Sequence, residues 1–204
     1  MDPRQARTRS ALRAAIYELA AAQPIADVSV AQVARAAGIT RDTFYRHATT
    51  PEHLLADFLG EEIDALMAPI ANLPATSGTE LSVFDEPERE LLRHVARHAQ
   101  IYLNAMAPRL TGPVRDTLVD RVEAGLLTHL ERHPEIAPPA QPGIDDERHH
   151  RILVAYAGSG TVSAIEEWLR SGELGDVNGD VDVDAAARTI IAASPDWWLG
   201  RSRS

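Results

Sequence analysis

Apolar residues at Leu12, Ala15, Ile16, Leu19 and Ala20 recur at three- and four-residue spacing, the pattern of a helix with one buried stripe, and it runs out near Ala22, before Pro24. Ser29 then offers a hydroxyl N-cap, with Gln32 at the capping-box position. Val30, Val33, Ala34 and Ala37 line the buried side of the second helix this predicts, and Gly38 stops it. Thr40 caps a third, short helix covering Arg41 to His47. Thr50 followed by Pro51 starts a fourth, which runs through Leu54, Leu55, Phe58, Leu59, Ile63, Leu66 and Met67.

A polar stretch with glycine and proline from Asn72 to Thr79 reads as a loop, and long helical segments follow at about Pro87 to Ala107 and Pro113 to Arg132. Pro134, Pro138, Pro139 and Pro142 mark a second loop. The next helix is predicted over Asp145 to Arg170, with Ile152, Leu153, Tyr156, Val162, Ile165, Trp168 and Leu169 as its large apolar residues. Gly158 and Gly160 each cost a helix roughly 1 kcal/mol relative to alanine, so close approach of another helix is the expected compensation. An acidic linker from Gly172 to Asp182 leads to a last helix over Asp184 to Ala193 and an apolar end at Pro195, Trp197, Trp198 and Leu199. No period-two run of strand length and no internal repeat is present, so the predicted fold class is all-α.

Composition narrows the function classes. The 204 residues contain no cysteine, which excludes disulfides, thiolate metal sites and a cysteine nucleophile. No run approaches the roughly 18 uncharged apolar residues of a spanning helix, and Asp2, Arg4, Arg7 and Arg9 precede any apolar stretch, so the expected location is the cytoplasm with no membrane partner. Every one of the 20 basic residues is arginine, which with the alanine content hints at a GC-rich bacterial genome. The net charge of -10 is unevenly spread. Residues 1–48 hold seven arginines against four acids, or +3, whereas residues 49–204 carry 13 against 26, or -13. A basic head on an acidic body makes the local field of the head decisive for nucleic acid.

Within that head, Ala34, Gly38 and Phe44 stand at relative positions 1, 5 and 11, as in a helix-turn-helix. Small Ala34 lets two helices approach, Gly38 supplies a left-handed turn, and Ile39 with Phe44 fills the wedge. The second helix of such a motif enters the major groove, and here it would present Arg41, Asp42, Thr43, Tyr45, Arg46 and His47. The run VSVAQVARAAGITRDTFYRHATTPEHLLADFL, residues 28 to 59, resembles the DNA-binding head of the tetracycline-repressor family of bacterial one-component regulators. It departs from the family pattern at Ala48, usually a large apolar residue, and at Pro51, where a lysine that contacts phosphate is common.

The resemblance implies residues 1–50 as the DNA-binding domain and residues 51–204 as a helical ligand-binding and dimerisation domain. It also implies a homodimer, a double-stranded operator and a small-molecule effector. Carried over residue by residue, Arg41 is the expected base reader, Thr43 touches a thymine methyl or a phosphate, and Tyr45 and His47 contact phosphate. Ser29 and Val30 offer helix-two amides to phosphate, with Thr40 at the start of the reading helix. Asp42 either accepts from a cytosine amine or, the favoured expectation, pairs with Arg46 four residues on. The segment RILVAYAGSGTVSAIEEWLRSGEL resembles the penultimate helix of a family subgroup that dimerises through its last two helices. Tyr102, Met106 and Tyr156, large residues on body stripes, are the candidate pocket lining.

Other patterns yield to plainer readings. His94 with His98, and His129 with His133, have the i, i+4 spacing of a shared metal, but with no cysteine and no HExxH they read as ordinary solvated or buried histidines, and no metal or cofactor is expected. The run DVNGDVDVD at residues 176–184 lacks the glycine position and closing glutamate of a calcium loop. No P-loop, GxGxxG or GxSxG supports an enzyme. The leading expectation is a ligand-responsive repressor acting on a pseudo-palindromic operator. A regulator without an effector, and a histidine-metal hydrolase carrying a helix-turn-helix, are the alternatives.

Overall fold

The computed structural model describes residues 3–77, 81–107, 109–171, 183–195 and 197–199; the linker read between Gly172 and Asp182 lies outside them. Among the described residues there are nine α-helices and no strand: α1 Pro3–Ala22, α2 Val30–Ala36, α3 Arg41–Tyr45, α4 Pro51–Met67, α5 Asp85–Arg97, α6 Ala99–Asn104, α7 Gly112–Arg132, α8 Asp146–Arg170 and α9 Val183–Ala193. None of them is long and apolar enough to cross a membrane. The chain forms two compact units. The first takes in residues up to Glu62 together with His98–Thr117, so it extends past residue 50; the second holds Ile63–Arg97 and the chain from Leu118 onward.

The polar signals that predicted the helix starts act as caps. Ser29 Oγ accepts from the Gln32 amide at 3.3 Å while Gln32 Oε1 accepts from the Ser29 amide at 2.8 Å, a complete capping box. Thr40 Oγ1 accepts from the Thr43 amide, Thr50 Oγ1 from the His53 amide, and the Asp145 carboxylate from the Arg148 amide. Gly38 has φ +66°; its amide donates to Arg35 O at 3.2 Å and the Ile39 amide donates to Ala34 O at 2.9 Å. Those two bonds satisfy carbonyls that the end of α2 would otherwise orphan.

In the first unit, Leu12, Ile16, Val33, Phe44, Leu55 and Phe58 form a fully buried core. Packed on α1, α6 contributes Asn104, whose Nδ2 donates to the carbonyls of Ala20 and Ala21 at 2.8 and 3.0 Å and so caps the C-terminal end of α1. The sequence pattern predicted one helix from Pro87 to Ala107. The chain instead leaves the helix at His98, where φ is -108° and ψ 21°, and restarts as α6. The apolar period continues across the break, which is why it is invisible in the pattern.

In the second unit, α9 packs on α5, and Arg89 bridges Asp85 to Asp184. The C-terminal residues close the core: Trp198 stacks on Phe84 with centroids 5.4 Å apart, and the Val83 amide donates to Leu199 O at 3.1 Å. Gly158 is buried on α8, and a Cβ there would lie 2.6 Å from Glu123 Cγ on α7. Its close approach is therefore within this unit. Gly160 is exposed and has open space around its Cα. One recess opens into the apolar interior, lined by Met67, Phe84, Glu88, Leu126, Thr161 and Trp198 among others.

Because nothing stands within 4 Å of a Cβ at Gly38, the cost of Gly38→Ala is backbone strain alone. The expected loss is about 1 to 2 kcal/mol, or a fall in Tm of roughly 2 to 8 °C, with an unchanged helical circular-dichroism spectrum at low temperature. A thermal melt checks it; an unshifted Tm would remove the left-handed constraint as the reason for glycine here.

Candidate nucleic-acid interface

A five-residue helix has too few internal hydrogen bonds to hold itself, so α3 depends on its ends and on one anchor. The anchor is Phe44, fully buried, against which the Tyr45 ring sets its edge with centroids 5.7 Å apart. Every other side chain of α3 is at least partly open to solvent: Arg41, Asp42 and Tyr45 are exposed and Thr43 is half-buried. Tyr45 is 59% exposed, a large ring left mostly to solvent apart from that edge contact.

Side chains link both ends of the helix. The hydroxyls of Thr40 and Thr43 are in hydrogen-bond contact at 3.0 Å, and Arg46 Nη2 donates to Thr43 Oγ1 at 3.0 Å. The Asp42 and Arg46 pairing expected from their spacing does not form. Helix α3 ends at Tyr45, Arg46 is its C-cap residue, and its guanidinium turns back to Thr43 instead. That leaves Arg46 exposed with further donors, and Asp42 exposed beside it. His47 is half-buried just after α3; Ser29 is exposed and Val30 half-buried at the start of α2. The nine residues expected to face DNA thus lie on α3, its two flanks and the start of α2, all within the first unit.

A feature the pattern did not reveal is a clamp holding α1 to α4. Arg9 and Arg13 both bond the Glu61 carboxylate, and both guanidinium carbons lie over the Phe58 ring, 4.9 and 4.8 Å from its centroid. Beside it, Glu62 accepts from the Tyr17 hydroxyl at 2.9 Å and contacts His98 Nε2 at 2.9 Å, with the Tyr17 and His98 rings edge to face. Burial, and after it the Glu62 carboxylate, push the Tyr17 phenol far above its ordinary range, so it stays a donor. Two of the head's seven arginines are therefore neutralised by acids of α4. The field near α3 falls to Arg41 and Arg46, with Arg35 exposed at the end of α2.

This geometry agrees with the comparisons. Residues 12–58 match the bacterial regulatory proteins of the tetR family. Over that segment the chain is similar to the TetR family. Its fold is similar to that of a tetR-family transcriptional regulator from Streptomyces coelicolor, with TM-score 0.53 at 18% identity over 96% of this chain and 92% of that one. The transcriptional regulator FadR from Bacillus subtilis, in complex with stearoyl-CoA, has TM-score 0.54 at 13% identity over 91% and 99%. RolR in complex with resorcinol has TM-score 0.55 at 18% identity over 91% and 87%. At these identities the likeness is one of fold. No curated protein sequence matches the chain.

Of the three candidate pocket residues, two lie in the first unit and one in the second. Tyr102 is fully buried in α6 and Met106 half-buried just after it, both in the first unit. Tyr156 belongs to α8 in the second unit, 75% exposed along a shallow groove with Gly160, Ala164 and Ile190. Of the histidine pairs, His98 is engaged with Glu62. The rings of His129 and His133 lie 4.9 Å apart, and burial lowers the pKa of His129, His133 adding to the effect.

Thr40→Ala removes the N-cap of α3 and is expected to cost about 1 kcal/mol of stability. Arg41→Ala, at an exposed position, should stay within about 0.5 kcal/mol of wild type. Urea unfolding of the two variants separates the roles, and a larger loss for Arg41→Ala would mean that its side chain supports the fold.

Proposed function

We propose that this DNA-binding regulator is a ligand-responsive repressor that binds a pseudo-palindromic operator as a homodimer and is released by a small-molecule effector. The observation that carries the reading is the makeup of α3: one buried anchor, a side-chain cap at its start, and every remaining group able to bond a base edge or a phosphate. In this reading Arg41 forks onto O6 and N7 of a guanine, and Thr43 places its methyl against a thymine. Tyr45, Arg46 and His47 hold phosphates, as do the amides of Ser29 and Val30, with Thr40 ordering the helix start. Asp42, unpaired with Arg46, accepts from a cytosine amine.

Two copies must set their reading helices about 34 Å apart to enter successive major grooves. The α8 stripe of Ile152, Tyr156 and Gly160 is the surface we assign to the second copy, because two large apolar side chains stand 51% and 75% exposed on it at four-residue spacing, beside a glycine with open space around it. Binding of an effector in the body would change the spacing of the reading helices, the route by which ligand and DNA affinities are linked. The ligand-bound states of FadR and RolR support an effector site in a fold of this kind.

Selection of bound fragments from random DNA tests the reading first: two inverted half-sites about 10 base pairs apart are expected, and an unsymmetric single site would overturn the dimer. On the recovered site Arg41→Ala should cost about 1 to 3 kcal/mol and relax preference at one position per half-site. Tyr45→Phe should weaken cognate and scrambled duplexes alike. Tyr156→Glu should give a monomer by light scattering, with helical content unchanged. Gly158 is unsuited to that test, since its Cβ position is filled by Glu123 of the same chain.

A further inference from the structure

The recess in the second unit is built almost wholly from apolar side chains of α4, α5, α7, α8, α9 and the C-terminal Trp198–Leu199 pair. The space between its walls, open solvent at the mouth included, is about 500 Å³. Its apolar walls suit a hydrocarbon chain. Only Glu88 brings an ionisable group to it, with the hydroxyls of Thr161 and Ser194 as the other side-chain polar groups apart from the Trp198 indole.

Glu88 stands on the apolar stripe that α5 continues through Leu91, Leu92 and Val95. Its Oε1 is fully buried and has no hydrogen-bond partner. A neighbouring cation would normally answer a buried carboxylate, but Arg89 is engaged with Asp85 and Asp184. His129, fully buried with its ring edge to face against Phe84 at 5.0 Å, is kept neutral by burial and then by His133. Thus, among the described residues, no group lining the recess supplies the missing positive charge. The chain from residue 49 onward carries -13, so the long-range field of this half of the protein attracts cations and repels carboxylates.

We propose that this recess binds an aliphatic ammonium compound, its methylene chain along the apolar walls and its charged nitrogen on the Glu88 carboxylate. This rests on the effector reading given above and names the chemistry of that site. An ammonium group supplies both the hydrogen-bond donor and the charge that Oε1 lacks, and the Thr161 and Ser194 hydroxyls can accept from its remaining hydrogens. A fatty carboxylate of the same length would bury a second negative charge beside Glu88, and an alcohol would supply no charge.

Protonation gives the proposal a sign. Burial pushes the Glu88 carboxyl up to about 7, so in the empty recess it is largely neutral below that pH. An alkylammonium, like a lysine side chain, keeps its charge to about pH 10. Affinity should therefore rise through pH 7 and level off, being roughly tenfold weaker at pH 6 than at pH 8.

The test is calorimetric titration of the full chain with octylamine, 1-octanol and octanoate below their aggregation limits, at pH 6 and pH 8. At pH 8 octylamine is expected to bind about tenfold or more tightly than octanol, with octanoate weakest. Glu88→Gln should abolish both the preference for the amine and its pH dependence. That variant should fold: the wild type loses stability as pH rises from about 4.5 through 7, where the carboxyl ionises in the fold, whereas the Gln variant keeps it, so its Tm at pH 8 should lie above wild type. Octanoate binding as tightly as octylamine, or an amine preference that survives in Glu88→Gln, overturns the proposal. Operator binding measured in parallel separates the two readings. Glu88-dependent amine binding that leaves DNA affinity unchanged supports the ligand assignment and sinks the effector role. Release of DNA by octanoate, with octylamine inert, does the reverse.

Discussion

The first unit depends on the carboxylates of Glu61 and Glu62. Helix α4 leaves the DNA-binding head carrying two adjacent acids, and both are answered from elements distant in the chain: Arg9, Arg13 and Tyr17 on α1, and His98 at the start of α6. A lysine could neutralise Glu61, but only the planar guanidinium can fork onto a carboxylate while lying flat on the Phe58 ring. Part-exposed ion pairs of this kind contribute modestly one by one. Here they share an acid and a ring, so their geometry is mutually fixed, and the frame that presents α3 inherits that definition.

Most of the helices were legible because their starts are chemical. Ser29, Thr40, Thr50 and Asp145 each do what a short oxygen-bearing side chain does before a helix, and Gly38 turns left where an alanine would be strained. What escaped the pattern were decisions made by tertiary contact. His98 occupies a place the helical period would fill, yet the chain bends there. Arg46 stands four residues from Asp42, but α3 closes before a full turn joins them. Gly158 and Gly160 look alike in sequence, and one is pressed against α7 while the other faces open space. Glu88 did leave a trace, as an acid on an apolar stripe, but a stripe cannot say whether its polar member has a partner.

The two units handle polarity differently. In the first unit the side chains of Ser29, Thr40 and Thr50 cap the helices they precede, with the Thr111 hydroxyl buried without a partner, and the exposed groups of α3 are chemically suited to DNA. In the second unit Glu88 Oε1 and the indole nitrogen of Trp168 are buried without a hydrogen-bond partner. Orphaned polar atoms cost stability, and a domain that keeps them has room to gain stability from whatever satisfies them.

The bond from Arg46 back to Thr43, and from Thr43 to Thr40, has a consequence for how firmly a partner can be held. A long arginine and two hydroxyls that would otherwise sample several rotamers are already confined before any DNA arrives. Each side chain immobilised on association ordinarily forfeits about 0.5 to 1.5 kcal/mol of rotational freedom. In this protein part of that loss was incurred on folding, so in the DNA-facing role proposed for α3 the surface would meet a duplex as a pre-set template, and its contacts there would retain more of their intrinsic strength.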